Sequence, residues 1–293
     1  MRPKVTIGII AFNAEKIISS AIESVAMQDY DHRLMELILV DDGSKDNTLQ
    51  VMKAYASKID ISTQVFSGEW RGIGYARNKV VENANGIYIL WLDADEVIES
   101  DFVRKQTTLL ELNPRAGIAK AQLRVWPDEN MIQVLDGLPA IADLSFRDGR
   151  KPAKMPGTGG AIYRLAAIKQ VGGFNEMLKG VGEDIEAAYR ITQKGWSIVI
   201  GNAVYYEIRG GLTTWRAALA RGVKRGRDSK ALNRETTKVF SIYAMNPLAS
   251  FVVSLRWAVL GYKATKRKVA FLLPVFYTAQ MVAWLYGFGK KAE

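Results

Sequence analysis

Residues 87–96 read IYILWLDADE. Ile87 to Leu92 is an unbroken apolar run with β-branched and aromatic side chains, and it ends in three acids. A run this short and this apolar suits a strand buried on both faces, as in a parallel sheet. Working towards the N-terminus, Val5–Ala11 (VTIGIIA), Glu36–Val40 (ELILV) and Ile61–Phe66 have the same character. Helical signals alternate with them. Ile17, Ile18, Ala21, Ile22 and Val25 recur at helical spacing within Glu15–Met27. Asp46 or Asn47 can cap a helix reaching about Ala56, and Gly72-Ile73-Gly74 opens a helix over Tyr75–Asn85. Strands alternating with helices predict an α/β fold with a mainly parallel central sheet. The chemistry of such a sheet gathers at the carboxyl ends of its strands. Those ends carry Phe12-Asn13, Asp41-Asp42 and Asp93-Ala94-Asp95.

Towards the C-terminus the pattern loosens. Residues 101–113 predict a helix and Ile118–Trp126 a strand. Pro127, Pro139, Pro152 and Pro156 predict a long loop with short elements over 127–156. Residues 157–164 (GTGGAIYR) are Gly-rich and then strand-like, Glu183–Lys194 reads as a helix, and Trp196–Ile200 begins a last strand.

The chain has 293 residues, 48% hydrophobic and 24% charged, which is ordinary globular composition. The lack of Cys excludes disulfides and thiolate metal sites. One His, His32, argues against a His-rich metal site or a Ser-His-Asp triad. Met1–Lys4 leads straight into a strand-like run, so no secretory leader is expected. The net charge of +10 is unevenly placed: residues 1–204 carry −2 and residues 205–293 carry +12. A nucleic-acid partner is therefore not expected for the slightly acidic core.

Each polar motif has a bland reading beside a functional one. Asp93 and Asp95 are hard oxygen donors at the end of a buried strand, suited to Mg²⁺ or Mn²⁺ and through it to a diphosphate. Their bland reading is a pair of solvated acids. Asp41-Asp42-Gly43-Ser44 is either a second acidic edge of that site or a simple turn. Arg77 lies in the first turns of a helix, where phosphate can bind, or is a surface arginine. Glu183-Asp184 either complements a helix N-terminus or supplies a general base.

Taken in order, these residues resemble a family 2 glycosyltransferase with the GT-A fold. The resemblance covers about residues 4–207. It rests on Phe12-Asn13, Val40-Asp41-Asp42-Gly43-Ser44 with Asp46 and Thr48, Gly74 with Ala76-Arg77-Asn78, Leu92-Asp93-Ala94-Asp95, Gly159-Gly160, Gly172-Gly173-Phe174, and Glu183-Asp184 with Arg190. It implies a nucleotide-diphospho-sugar site at Phe12, Asn13, Asp41, Asp42, Arg77 and Asp93, with Phe12 flanking the base. It implies a divalent metal, Mg²⁺ or Mn²⁺, on Asp95 and Asp93, and Asp184 as catalytic base with Glu183 beside it. The implied reaction is an inverting displacement at the anomeric carbon. Two departures stand out. Val204–Arg209 offers Glu207 where many relatives carry a His, and the Gln-x-x-Arg-Trp signature of processive synthases is absent, which favours transfer of a single sugar.

Thr213–Leu232 is a basic helical stretch, in which Arg221 and Arg225 on adjacent turns are candidates for the phosphate of a lipid-linked acceptor. Pro247–Tyr262 is apolar apart from Arg256, Lys263–Lys268 (KATKRK) is basic, and Val269–Gly289 is uncharged. As a helix the last segment is about 30 Å long, roughly one bilayer core. The expected organisation is a GT-A catalytic domain over 1–212, a basic helical connector over 213–246, and membrane-associated segments over 247–293. The first apolar segment is expected in the interface, the second to span or re-enter, with KATKRK beside anionic lipid on the cytoplasmic face of the cell membrane. The expected activity is transfer of one sugar to a membrane-associated acceptor hydroxyl. The alternatives are a polyprenyl-phosphate sugar synthase, whose acceptor is the lipid phosphate, and an inactive sugar-nucleotide or membrane-binding module.

Overall fold

In the computed structural model, residues 4–145, 155–180, 182–235 and 246–290 are described. The chain divides into two compact units, residues 1–122 with 147–207 and residues 123–146 with 208–293. The first cut in the C-terminal third thus falls at 207/208, and residues 123–146 go with the C-terminal part.

The first unit opens as the alternation predicts. Strand β1 (Val5–Ala11) is followed by helix α1 (Ile18–Ala26), β2 (Met35–Asp41), α2 (Thr48–Ala56), β3 (Ser62–Ser67), α3 (Ile73–Asn83) and β4 (Tyr88–Asp93). These strands lie in the order β3-β2-β1-β4, and all three pairings are parallel. β1 and β2 are buried almost throughout, which is why they read as unbroken apolar runs.

The other side of the sheet is different. Strand β5 (Glu96–Ile98), helix α4 (Phe102–Leu112), β6 (Ala116–Arg124), then, after helix α5 (Met131–Leu144) of the second unit, β7 (Ala161–Arg164), α6 (Leu165–Gln170), α7 (Glu183–Gln193) and β8 (Ser197–Glu207) complete the series. The sheet continues β4-β7-β6-β8-β5. Here β4–β7, β6–β7 and β5–β8 are antiparallel. The parallel arrangement therefore describes β1 to β4, and these three pairings beyond it are antiparallel. The core between sheet and helices gathers Trp91, Tyr163 and Phe174, with the Trp91 ring edge-on to both neighbours.

In the second unit, residues 131–144 are not loop. Met131–Leu144 forms helix α5, with Pro139 inside it. Its start is a capping box: Asn130 accepts from Ile132 and Gln133 N–H, and the Gln133 side chain accepts from Asn130 N–H. One face buries Ile132, Leu135, Leu138 and Ile141, which offsets the hydrogen bond lost at Pro139. Helices α8 (Trp215–Glu235), α9 (Pro247–Thr265) and α10 (Leu273–Gly289) follow.

Helix α9 is packed inside out. Its buried residues are Ser250, Ser254, Ala258 and Gly261, whereas Leu248, Phe251, Val252, Val253, Leu255 and Val259 are exposed. Helices α8 and α10 meet through glycines. A Cβ on Gly226 would strike the Trp284 carbonyl, one on Gly287 the Val223 carbonyl, and one on Gly222 would lie 2.6 Å from Gln280 Oε1. Small residues let backbones approach closely, the packing habit of helices in membranes. Among the described residues, one helical stretch, Lys268–Gly289, is long and apolar enough to cross a bilayer, with 39% of its apolar window buried.

Candidate active site

The site is built on the carboxyl ends of β1, β2 and β4, together with the start of α7. All its residues belong to the first unit. At the end of β1, Phe12 is 47% exposed and stands free to flank a planar group. Asn13 does something the sequence did not suggest. It takes a left-handed conformation (φ 52°), donates its N–H to Ser44 Oγ at 2.8 Å and accepts Lys45 N–H at 2.9 Å. Asparagine tolerates that conformation better than most residues. Asn13 thereby pins the turn after β2.

In that turn, Asp41 accepts Ser44 N–H at 3.3 Å. Asp42 is buried and receives Arg71 and Gly72 N–H, one on each oxygen, both at 3.0 Å. Gly43 (φ 78°) lies so close to Trp70 that a Cβ would strike its backbone. The loop after β3 is therefore seated on the Asp41–Ser44 turn, and Asp42 orders it.

Arg77 is the hub. Its side chain is 2% exposed, with one guanidinium nitrogen on Asp93 Oδ1 at 3.0 Å and another on Glu183 Oε1. The Glu183 side chain is only 3% exposed. Arg77 thus stands as the buried counter-ion of two acids. Removing it would leave a buried carboxylate unpaired, a costly state.

Glu183 and Asp184, adjacent in sequence, point to different tasks. Glu183 is committed to Arg77. Asp184 is only partly buried, accepting Thr158 N–H at 3.2 Å on Oδ2 and Ile185 N–H at 2.7 Å on Oδ1. The left-handed Gly182 (φ 92°) caps the start of α7 just before both acids. A carboxylate held by backbone N–H groups keeps acceptor capacity for a further proton donor.

Asp93 is the last residue of β4, and Asp95 lies in the two-residue turn between β4 and β5. The Asp93 side chain is 39% exposed and Asp95 is partly exposed. Among the described residues no group of three or more His, Cys, Asp or Glu side chains forms a metal cluster. Two hard carboxylates on one turn nevertheless fit Mg²⁺ or Mn²⁺, which bind proteins through one or two carboxylates and complete their shell with phosphate and water.

Two further residues lie beneath this turn, and the motif reading missed their roles. Glu96 and Lys120 are both buried. Burial pushes the Glu96 carboxyl well up, reinforced by the Asp93 and Asp95 charges and opposed by Lys120. Burial pulls Lys120 down, opposed by Glu96, Asp184, Asp93 and Glu207. The readable signal for Lys120 was a lone cation in the otherwise uncharged interior of β6. Glu207, singled out because a His was absent there, pairs across the β5–β8 ladder with Glu96.

Arg221 and Arg225 lie in the second unit, on α8. Both reach Asp136 of α5, at 3.2 and 3.5 Å. Asp136 also sits 3.8 Å from the buried Arg209.

Comparison with known proteins fits this geometry. The model of the family described as "Glycosyl transferase family 2" matches residues 6–171, more than half of the chain. The chain belongs to glycosyl transferase family 2. Among relatives of this family 2 glycosyltransferase is the poly(ribitol-phosphate) beta-N-acetylglucosaminyltransferase TarS of Staphylococcus aureus strain Mu50, 28% identical over 108 residues, 37% of this chain and 19% of that protein. Another is the cholesterol galactosyltransferase of Borreliella burgdorferi, 32% identical over 97 residues, 33% of this chain and 26% of that protein. The chain thus spans less than a third of the length of either relative. Among solved structures, the mannosyltransferase PcManGT from Pyrobaculum calidifontis in complex with GDP-Man and Mn²⁺ has a TM-score of 0.68 at 18% identity, covering 98% of this chain and 86% of that one. The shared fold is the GT-A fold.

Proposed function

We propose that this family 2 glycosyltransferase moves a single sugar from a nucleotide-diphosphate donor to a hydroxyl of a membrane-associated acceptor, with inversion and with Mg²⁺ or Mn²⁺. The observation that carries the reading is the division of labour at the head of α7. Glu183 is buried and ion-paired to Arg77, while the neighbouring Asp184 remains partly open. That leaves one carboxylate to accept the acceptor's hydroxyl proton. The deprotonating oxygen attacks the anomeric carbon, the bond from that carbon to the diphosphate oxygen breaks, and the proton stays on Asp184. Asp93 and Asp95 would hold the metal, which supplies neutralising charge to the leaving diphosphate when bound. Phe12 offers an exposed ring to the nucleobase, and Asp42 holds the loop around it. Positioning is a large part of such catalysis, so the buried Arg77 hub earns its place by fixing Asp93 and Glu183.

Membrane association at the cytoplasmic face of the cell membrane is supported by the inverted α9 and by the cations Lys263, Lys266, Arg267 and Lys268 beside it. Large side chains face outward there as they would towards acyl chains, and the cations suit anionic headgroups. Arg221 and Arg225, which both reach Asp136, are proposed to turn their guanidinium groups to an acceptor phosphate as well.

The deciding experiment is calorimetry with a panel of nucleotide-sugars and Mg²⁺ or Mn²⁺, comparing wild type with Asp95→Ala, followed by turnover of the bound donor. Metal-dependent binding of one donor class, lost in Asp95→Ala, is expected. Binding of no donor would sink the reading. Near-normal turnover in Asp184→Asn would instead point to an acceptor that is already ionised, a lipid phosphate.

A further inference from the structure

Glu96 and Lys120 are buried ionisable residues that the proposed transfer leaves without a task. Between them lies residues 157–160 (Gly-Thr-Gly-Gly). Glu96 Oε2 accepts two backbone N–H groups, Asp93 at 3.0 Å and Gly160 at 3.2 Å. Lys120 Nζ donates to the Gly159 carbonyl and to the Gly157 carbonyl at 3.4 Å. Thr158 N–H then reaches Asp184 Oδ2 at 3.2 Å. A continuous chain of contacts therefore runs from the Asp93 backbone through Glu96, the 157–160 strap and Thr158 to the candidate base.

The glycines of the strap are required by the same neighbours. A Cβ on Gly159 would collide with Glu96, and one on Gly157 would come within 2.7 Å of Asp184 Oδ2. Gly160 takes a left-handed conformation (φ 56°), and its Cβ would strike the Tyr205 ring. Lys120 Nζ sits 5.0 Å from the centre of that ring. A buried carboxyl and a buried amine are a poor source of net stability, since both groups lose their water. Their presence here calls for another reason, and the bonding pattern supplies one.

We infer that Glu96 and Lys120 are positioning residues that clamp the 157–160 strap and so set the distance between the Asp93–Asp95 turn and the Asp184 carboxylate. The inference rests on the roles proposed above for Asp93 and Asp184. Lys120 holds the strap by its carbonyls and Glu96 by an N–H. A displaced base misaligns the hydroxyl without touching the donor, so the cost falls on turnover.

The test compares Lys120→Met with Lys120→Arg and with the charge-balanced double variant Glu96→Gln/Lys120→Met, all in the full chain. Hydrogen exchange at residues 157–160 and steady-state kinetics are measured together. Lys120→Met is expected to speed exchange at 157–160 while β1 and β2 stay protected. It is also expected to lower kcat about 10- to 100-fold with donor KM changed by less than about threefold, the scale of a base displaced by about 1 Å. Lys120→Arg is expected to restore part of both. Where Lys120→Met does not fold, the double variant gives the same comparison. Unchanged exchange at 157–160 overturns the inference whatever the activity. So does a kcat loss that merely follows an equal loss of donor binding or of folded protein. A wild type that transfers sugar from no donor defeats the functional reading alone, and the exchange measurement still decides the clamp.

Discussion

Helix α1 of the first unit buries Ile18, Ile22 and Val25 and exposes Glu23, whereas α9 of the second unit buries Ser250, Ser254 and Ala258 and exposes Leu248, Val252 and Leu255. The two helices are built from similar ingredients turned opposite ways. In water, large apolar side chains gain by turning inward. A helix that turns them outward has either a partner or a different solvent. The contrast extends to charge. The first unit places acids at its strand ends, and the buried Arg77 pairs with two of its acids, Asp93 and Glu183. The basic excess lies in the chain beyond residue 204. One unit is thus sensitive to losing a charge, the other to gaining polarity on its outer face or bulk on its inner one.

The largest expected effect lies in the first unit. Asp184→Asn should slow sugar transfer about 10²- to 10⁴-fold, the usual contribution of a general base, while calorimetry finds donor affinity nearly unchanged. Parallel loss of binding would mean that Asp184 shapes the donor site instead. Next, Asp95→Ala should weaken metal-dependent donor binding by at least about 10- to 100-fold, the loss that follows even from removing outer partners of metal ligands. A metal titration at fixed nucleotide reads this directly.

The second unit responds to different changes. Val252→Glu on the outer face of α9 should cut binding to anionic vesicles about tenfold or more, given that burying one Val contributes about 1.5–3 kcal/mol. Flotation measures it, and an unchanged melting temperature shows that the fold is intact. Equal flotation of variant and wild type would assign this face another partner. The smallest effect is expected for Gly226→Ala, whose added Cβ meets the Trp284 carbonyl. Overpacking of this kind costs about 1–3 kcal/mol, visible in thermal unfolding, with no direct effect on donor affinity.

Much of this comparison could be read before any fold was known, but unevenly. The unbroken runs at Val5–Ala11 and Ile87–Leu92 marked strands buried on both faces, because only a doubly covered strand tolerates apolar side chains on both sides. Helix α5 was hidden by Pro127 and Pro139, which read as loop punctuation. Its capping box at Asn130 and Gln133 was the signal that outweighed them. The antiparallel half of the sheet was not legible, since β7 has only four residues and its partners are distant in sequence.

The site shows the same division. Amino-acid sequence alone determined which carboxylates stand at strand ends, because periodicity locates the ends and chemistry names the acids. It also determined that the basic excess is confined to the C-terminal third. Only the tertiary structure decided that Arg77 is a buried counter-ion, that Asn13 pins a turn, that Glu183 faces inward while Asp184 stays partly open, and that Lys120 meets a glycine strap. Those outcomes depend on side-chain direction and on neighbours far along the chain, such as Arg77 and Glu183, 106 residues apart. The inverted face of α9 belongs to the same class. Its composition was plain in the sequence, but which side packs inward is set by the helices that surround it.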